Sequence, residues 1–266
     1  MNSFNKASTQ IRLLDAAAAE SRWINRIHPL VKLVVTVFYI AVTVSFNKYD
    51  LTGLLGMLVY LIFIYGFCDL SAAEAFYRLR IILPIVCVVG LFNPFFDREI
   101  ITYIGGIAVS GGVISMITLM MKGVFSVLAT YALIATTGIE KLCFALRLIH
   151  VPKILVTQIL LIYRYISVLL SEADRMTQAY ALRAPGQKGI HFKVWGPLAG
   201  QLLLRSMDRA ENVYESMCLR GYTGEFYYGG GKKACTADYV YLVLWLALTA
   251  VFRIFPVFEI IGSLFV

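Results

Sequence analysis

Apolar and polar residues along the chain fall into two regimes. Four apolar runs come early, Leu30–Phe46, Leu51–Phe67, Ile81–Phe96 and Gly112–Thr137, and a fifth, Tyr239–Val266, closes the chain. A helix needs about 20 residues to cross the hydrocarbon core, and each run approaches that length. Lys32 sits near the start of the first run, where its stem is expected to snorkel toward the interface. Pro84 and Pro94 interrupt the third run, and the fourth and fifth carry Lys122 and Arg253. Between the third and fourth, residues 100–110 alternate around Gly105-Gly106, the pattern of a small β-hairpin too short to span.

From residue 138 the pattern changes to helical stripes. A short helix is expected from Ile139 to His150, ending before Pro152. From Pro152 to Ala184, Leu155, Ile159, Ile162, Ile166, Leu169, Ala173, Met176 and Tyr180 recur at steps of three or four, which is one helical face. The second half of this helix, with Glu172, Asp174, Arg175 and Gln178, is too polar to span. A second long helix runs from about Trp195 to Arg220, striped by Trp195, Leu198, Leu202, Met207, Ala210, Tyr214 and Met217. Both stripes are expected to pack against neighbouring helices.

Composition fixes the solvent. The 266 residues are 59% hydrophobic and only 15% charged, against roughly 25% charged in an ordinary soluble domain. The fold class is therefore an all-α polytopic membrane protein of about five transmembrane helices with a helical, non-spanning domain holding two long amphipathic helices. The net charge of +8 is topology, because Lys and Arg collect in cytoplasmic loops. With the N-terminus inside, the inner segments hold Lys6, Arg12, Arg22 and Arg26, then Arg78 and Arg80, then the many cations between Lys141 and Lys233, while the outer loops hold only Lys48 and Arg98. The C-terminus then lies outside. No basic run is interleaved with aromatics as a nucleic-acid groove requires. Residues 1–29 are polar to amphipathic, without the early apolar core of a cleavable signal peptide.

The ends of the two long helices repeat. The first finishes on Leu182-Arg183-Ala184 before Pro185-Gly186, the second on Leu219-Arg220-Gly221. A cation in a last helical turn complements the macrodipole by about 0.3–1 kcal/mol, and Gly221 is an ordinary residue just past a helix. Capping explains either ending alone; it does not explain the repetition on neighbouring helices.

In these features the chain resembles the transmembrane T component of energy-coupling-factor transporters, most closely the cobalt-type, CbiQ-like branch. Leu14-Asp15-Ala-Ala-Ala-Ala-Glu-Ser and Ile27-His28-Pro29-Leu-Val-Lys32-Leu are similar to that family's entry into its first span, and the paired helix ends to its two short Ala-Arg-Gly motifs. The copies here are Leu-Arg-Ala and Leu-Arg-Gly, so the arginine and the small residue after it are kept and the residue before it differs. The resemblance implies that each motif ends a cytoplasmic coupling helix seated on an ABC-type ATPase, with Arg183 and Arg220, flanked by Leu182, Ala184, Leu219 and Gly221, as the coupling contacts. It implies two ABC-type ATPase partners, a substrate-binding membrane (S) component, residence in the inner or plasma membrane, and ATP-driven uptake, of cobalt first, with nickel or a vitamin as alternatives. The chain then divides into a cytoplasmic N-terminal segment (1–29), four transmembrane helices with a small external hairpin near 100–110 (30–137), cytoplasmic coupling helices (138–235) and a C-terminal transmembrane helix (236–266).

Catalytic and cofactor motifs are missing. Gly229-Gly-Gly231-Lys232-Lys233 only imitates a phosphate loop: Phe226 stands where the first glycine belongs and Lys233 where Ser or Thr would follow. ATP is therefore expected to be used by partner subunits and not bound by this chain. Cys68, Cys87, Cys143, Cys218 and Cys235, with His28, His150 and His191, show no metal-ligand spacing. No catalytic residue, cofactor or metal ligand is assigned, and the chain is expected to be a non-catalytic subunit. A cytoplasmic-face enzyme acting on lipid is the alternative from another class, since basic amphipathic helices bind anionic lipids, but no acidic or nucleophilic set gathers to serve it.

Overall fold

A computed structural model describes residues 9, 13, 15–16, 18, 23–68, 72–96, 100–104, 107–186, 189–224 and 235–254. The hairpin tip at Gly105-Gly106, the glycine–lysine run at 229–233 and Leu14 lie outside them. The chain divides into two compact units, one of Glu20–Thr137 with Lys232–Val266 and one of Met1–Ala19 with Gly138–Gly231.

The first unit holds a single 3-10 turn, Ile24–Arg26, then α1 (Pro29–Ser45), α2 (Leu51–Gly56), α3 (Leu58–Cys68), α4 (Ala72–Phe96), strands β1 (Ile100–Ile104) and β2 (Ile107–Ser110), α5 (Gly111–Thr137) and, after the second unit, α9 (Thr236–Ile254). Pro29 stands at the first position of α1, where its missing N–H costs nothing, and the His28 ring accepts from Leu30 N–H. The run Leu51–Phe67 is broken at Met57, and the Tyr39 hydroxyl donates to the Met57 carbonyl at 2.9 Å. Tyr39, Tyr60 and Trp245 cluster near that break, Tyr60 tilted against Tyr39 and edge-to-face with Trp245 at ring-centroid distances of 4.5 and 4.8 Å, and Leu54, Phe125 and Ala129 complete the centre of this core. Helix α4 begins at Ala72 and runs continuously through Pro84 and Pro94, so the prolines do not interrupt it as expected. It packs tightly on α5, where a Cβ on Gly90 or Gly123 would lie 3.2–3.3 Å from Met116 or Val86. Strands β1 and β2 pair antiparallel, with Ile104 opposite Ile107.

Cations within the apolar helices bond backbone carbonyls of other segments. Lys32 does not snorkel: it is 4% exposed and donates to the Thr136 carbonyl at 2.9 Å. Thr136 lies at the end of α5, where carbonyls have no intrahelical donor, so a long-range cap outweighs the route to the interface. Lys122 donates to the carbonyls of Val44 (3.1 Å) and Phe46 (2.5 Å), and Arg253 to that of Ser45 (3.0 Å) while lying over the Phe46 ring. The last turn of α1, which has no basic residue of its own, is thus capped from α5 and α9. Where no water reaches, such carbonyls must find a protein donor.

The second unit holds α6 (Ile139–Leu148), α7 (Lys153–Arg183) and α8 (Phe192–Leu219). Helix α7 packs on α6 and, less extensively, on α8. Asp15 accepts a 2.6 Å hydrogen bond from Tyr163, which fastens the N-terminal segment to α7.

Among the described residues, α5, α7 and α9 are long and apolar enough to cross a membrane, and Pro29–Ser45, Leu51–Phe67 and Leu83–Pro94 are shorter apolar helices. In α7 the apolar character belongs to the first half, and Ser171, Glu172, Asp174, Arg175 and Gln178 follow. The chain is a polytopic all-α membrane protein.

Candidate coupling surface

The two repeated helix ends differ in geometry. Arg183 is the last residue of α7, capped by Ala184, whose N–H bonds the Tyr180 carbonyl at 3.1 Å. Arg220 is itself the cap residue of α8. Beyond it Gly221 takes φ +83°, and the N–H groups of Tyr222 and Gly221 bond the carbonyls of Met217 and Cys218, both at 2.9 Å. This paired closure needs a left-handed residue after the cap, which glycine adopts without strain. A Cβ there would meet nothing within 4 Å, so conformation alone opposes Gly221→Ala. That variant is expected to lose about 1 kcal/mol locally. Amide hydrogen exchange over the last turn of α8 should quicken about five-fold, and unchanged exchange would show that the closure does not hold the tip.

Both tips project freely. Leu182 is 84% exposed and Leu219 90%, and Arg183 and Arg220 are exposed beside them. Ala184 is half-buried and Gly221 exposed. A large apolar side chain left bare beside a guanidinium, at the end of a rigid helix, combines a knob for an apolar hollow with a fork of donors for carboxylates or carbonyls.

The stripes do not pack as periodicity predicts. Leu155, Ile159, Ile162 and Ile166 on α7, and Trp195, Met207 and Tyr214 on α8, are exposed, and no described residue of α8 is buried. Periodicity fixes which side of a helix is apolar, not what covers it. The long helices touch only in part, leaving the apolar sides open.

Between α7 and α8 lies an open cleft of about 1000 Å³. Arg164 and Glu172 line it from α7, and Arg205, Asp208, Arg209 and Asn212 from α8, with Arg220 and Tyr222 at one end. Arg205 bonds Glu172 across it. The signal in the sequence for this cleft is Arg205 and Arg209, one turn apart and off the apolar stripe of α8. On α8 a hydrogen bond with Cys218 raises the Tyr214 phenol above its ordinary range, and in α6 burial does the same to the Cys143 thiol. Both stay neutral at physiological pH and add no charge to the surface.

Comparison with known proteins shows the family. The family model described as CbiQ, cobalt transport protein, matches residues 20–228, a span that includes both helix tips. A Methanocaldococcus jannaschii protein described as uncharacterized is 27% identical over 146 residues, 54% of this chain and 50% of that protein. A second uncharacterized protein from the same organism is 34% identical over 108 residues, 40% of this chain and 39% of the relative. The nickel permease LarQ of Lactiplantibacillus plantarum is 25% identical over 115 residues, 42% of each chain. The matched region spans half or less of the length of each of these curated relatives. A family match over most of a chain with several apolar helices makes it a membrane transport component: the chain belongs to the CbiQ family of cobalt transport proteins.

Proposed function

We propose that this chain is the transmembrane coupling subunit of an energy-coupling-factor transporter. It joins two ABC-type ATPase subunits to a substrate-binding membrane subunit and converts ATP hydrolysis on the former into movement of the latter. The transported substrate is a divalent transition-metal ion, cobalt by the family description, with nickel favoured as the second reading by the likeness to a nickel permease. The chain itself is non-catalytic, and its N-terminus and the stretch 138–235 face the cytoplasm, with the C-terminus outside.

One observation carries this reading: two helices end on an exposed leucine followed by an exposed arginine, at Leu182-Arg183 and Leu219-Arg220. Two tips suit two ATPases. Each would seat its leucine in an apolar hollow and its guanidinium on carboxylates or carbonyls, so that closure of the ATPase pair moves both helices as levers. The uncovered apolar sides of α7 and α8 suit a membrane-embedded partner.

The test is Arg183→Ala with Arg220→Ala in the intact complex. Removing two charge-assisted sets of hydrogen bonds should lower retention of the ATPases on co-purification by at least roughly 100-fold, and metal uptake with it. Undiminished uptake with ATP hydrolysis still coupled to it would overturn the proposal.

A further inference from the structure

The cleft between α7 and α8 holds more positive charge than its own acids neutralise. Four guanidinium groups line it, from Arg164, Arg205, Arg209 and Arg220, against the carboxylates of Glu172 and Asp208. Glu172 is already engaged. Its Oε1 accepts from Arg205, and its Oε2 lies 3.9 Å from Arg175. Among the described residues, no ion pair engages Arg164 or Arg209. Arg205 and Arg209 are one turn apart on α8, where like charges repel, and Arg164 lines the same space from the other helix. A cleft arranged this way is relieved by an anion.

The remaining walls narrow the choice of anion. Leu161, Val168 and Leu169 of α7 and Val213 and Met217 of α8 supply an apolar lining. Leu161 and Val168 lie in the apolar first half of α7. That half belongs to a helix apolar enough to meet the bilayer. A small free anion would use the arginines and leave the apolar surface bare, whereas a phosphate carried on acyl chains would use both. Basic pockets between helices at the cytoplasmic side of a membrane bind acidic lipid headgroups in this way.

We propose that the α7–α8 cleft is a binding site for an anionic phospholipid, with Arg164, Arg205 and Arg209 around its headgroup phosphate and its acyl chains against Leu161, Val168 and Leu169 of α7 and Val213 and Met217 of α8. The three arginines around the phosphate are not tip residues, although Arg220 both lines the cleft and ends α8; the site rests on the proposed cytoplasmic placement of this stretch and not on contact with an ATPase. It would make the spread of the two long helices responsive to the lipid beside them, since the bound phosphate draws together arginines from both.

The test uses the full chain, delipidated in a neutral detergent and titrated separately with phosphatidylglycerol, phosphatidylcholine, glycerol 3-phosphate and inorganic phosphate, with bound mass read by native mass spectrometry. One phosphatidylglycerol should be retained at least about 10-fold more tightly than phosphatidylcholine. Each arginine near an anionic headgroup contributes on the order of a five-fold gain in affinity, so Arg164→Gln with Arg209→Gln should weaken phosphatidylglycerol about 30-fold. Equal retention of the two lipids, or a double variant that binds as before, overturns the proposal. Displacement of phosphatidylglycerol by equimolar glycerol 3-phosphate or inorganic phosphate also overturns it, assigning the cleft to a soluble anion. A measurement on the unaltered chain guards against misfolding of the variant: photoreactive phosphatidylglycerol should label peptides within 161–172 or 205–222. Labelling confined to other helices refutes the site.

Discussion

Under the proposed coupling role, replacing Leu182 and Leu219 together with aspartate is expected to abolish ATP-driven uptake while leaving the chain folded. The two halves of this expectation rest on the same exposure. At 84% and 90% exposed, neither leucine packs against the rest of the chain, and substitutions at such positions usually change stability by less than about 0.5 kcal/mol. Against an ATPase the balance reverses. Each leucine seated in an apolar hollow contributes about 1.5–3 kcal/mol, and a carboxylate forced into that hollow loses its hydration besides. Over two sites, association should weaken by more than about 100-fold. Leu182→Met with Leu219→Met should keep uptake, because volume and apolar character survive. Co-purification, metal uptake and thermal unfolding of the two double variants separate the outcomes. Uptake by the aspartate variant at the original rate would mean that the bare leucines contact no ATPase, and would leave the arginines as the only candidate anchors.

The two tips should not contribute equally. Arg183 continues the helical backbone of α7, so its direction follows the axis of that helix. Arg220 sits in the closing turn of α8, fixed by the hydrogen bonds of Gly221 and Tyr222. Tyr222 also lines the α7–α8 cleft. Arg220 itself lines the cleft as well, so the α8 tip forms part of its wall, whereas Arg183 does not line it.

Much of this was legible in the sequence, and the limits have physical causes. Length and hydropathy located α1 and α5 to within a residue of their observed starts and ends, because Pro29 and the glycines at 111–112 punctuate the apolar runs. The same reasoning split α4 at its prolines, although helix packing against α5 sustains the helix through them. Lys32 was misplaced for a different reason. Its partner is the Thr136 carbonyl, 104 residues away, and no local pattern announces a cap supplied from another helix. The stripes of α7 and α8 were read correctly as faces and wrongly as buried, since a 3.6-residue period is produced equally by a core, a bilayer and a partner. The repetition of Leu-Arg was visible from spacing; the different closures behind the two arginines depend on φ at Gly221, which spacing does not report.

The carboxylate of Asp238 shows how much stability can rest on one buried acid that no motif announces. It is 6% exposed and stands in the first turn of α9. One oxygen accepts from the N–H of Cys235, the residue before the helix, at 2.7 Å, and the other from the N–H of His28, just before α1, at 2.9 Å. The first bond is the returning half of a capping box, and a negative charge there also complements the helix dipole. The second ties the entry of α1 to the entry of α9 across 210 residues of chain. Asp238→Ala leaves both donors without the carboxylate, and hydrogen bonds to a charged acceptor are worth about 1.5–3 kcal/mol each, so a loss of about 3–5 kcal/mol is expected. Asp238→Asn should recover less than half of it. The amide has a single acceptor oxygen, and its NH2 group must then face the other backbone N–H, donor against donor. Thermal unfolding of the purified chain in detergent is the measurement. A shift within about 0.5 kcal/mol for the alanine variant would show that water or another residue takes over both amides; an asparagine variant as stable as the original would show that only one of the two bonds matters.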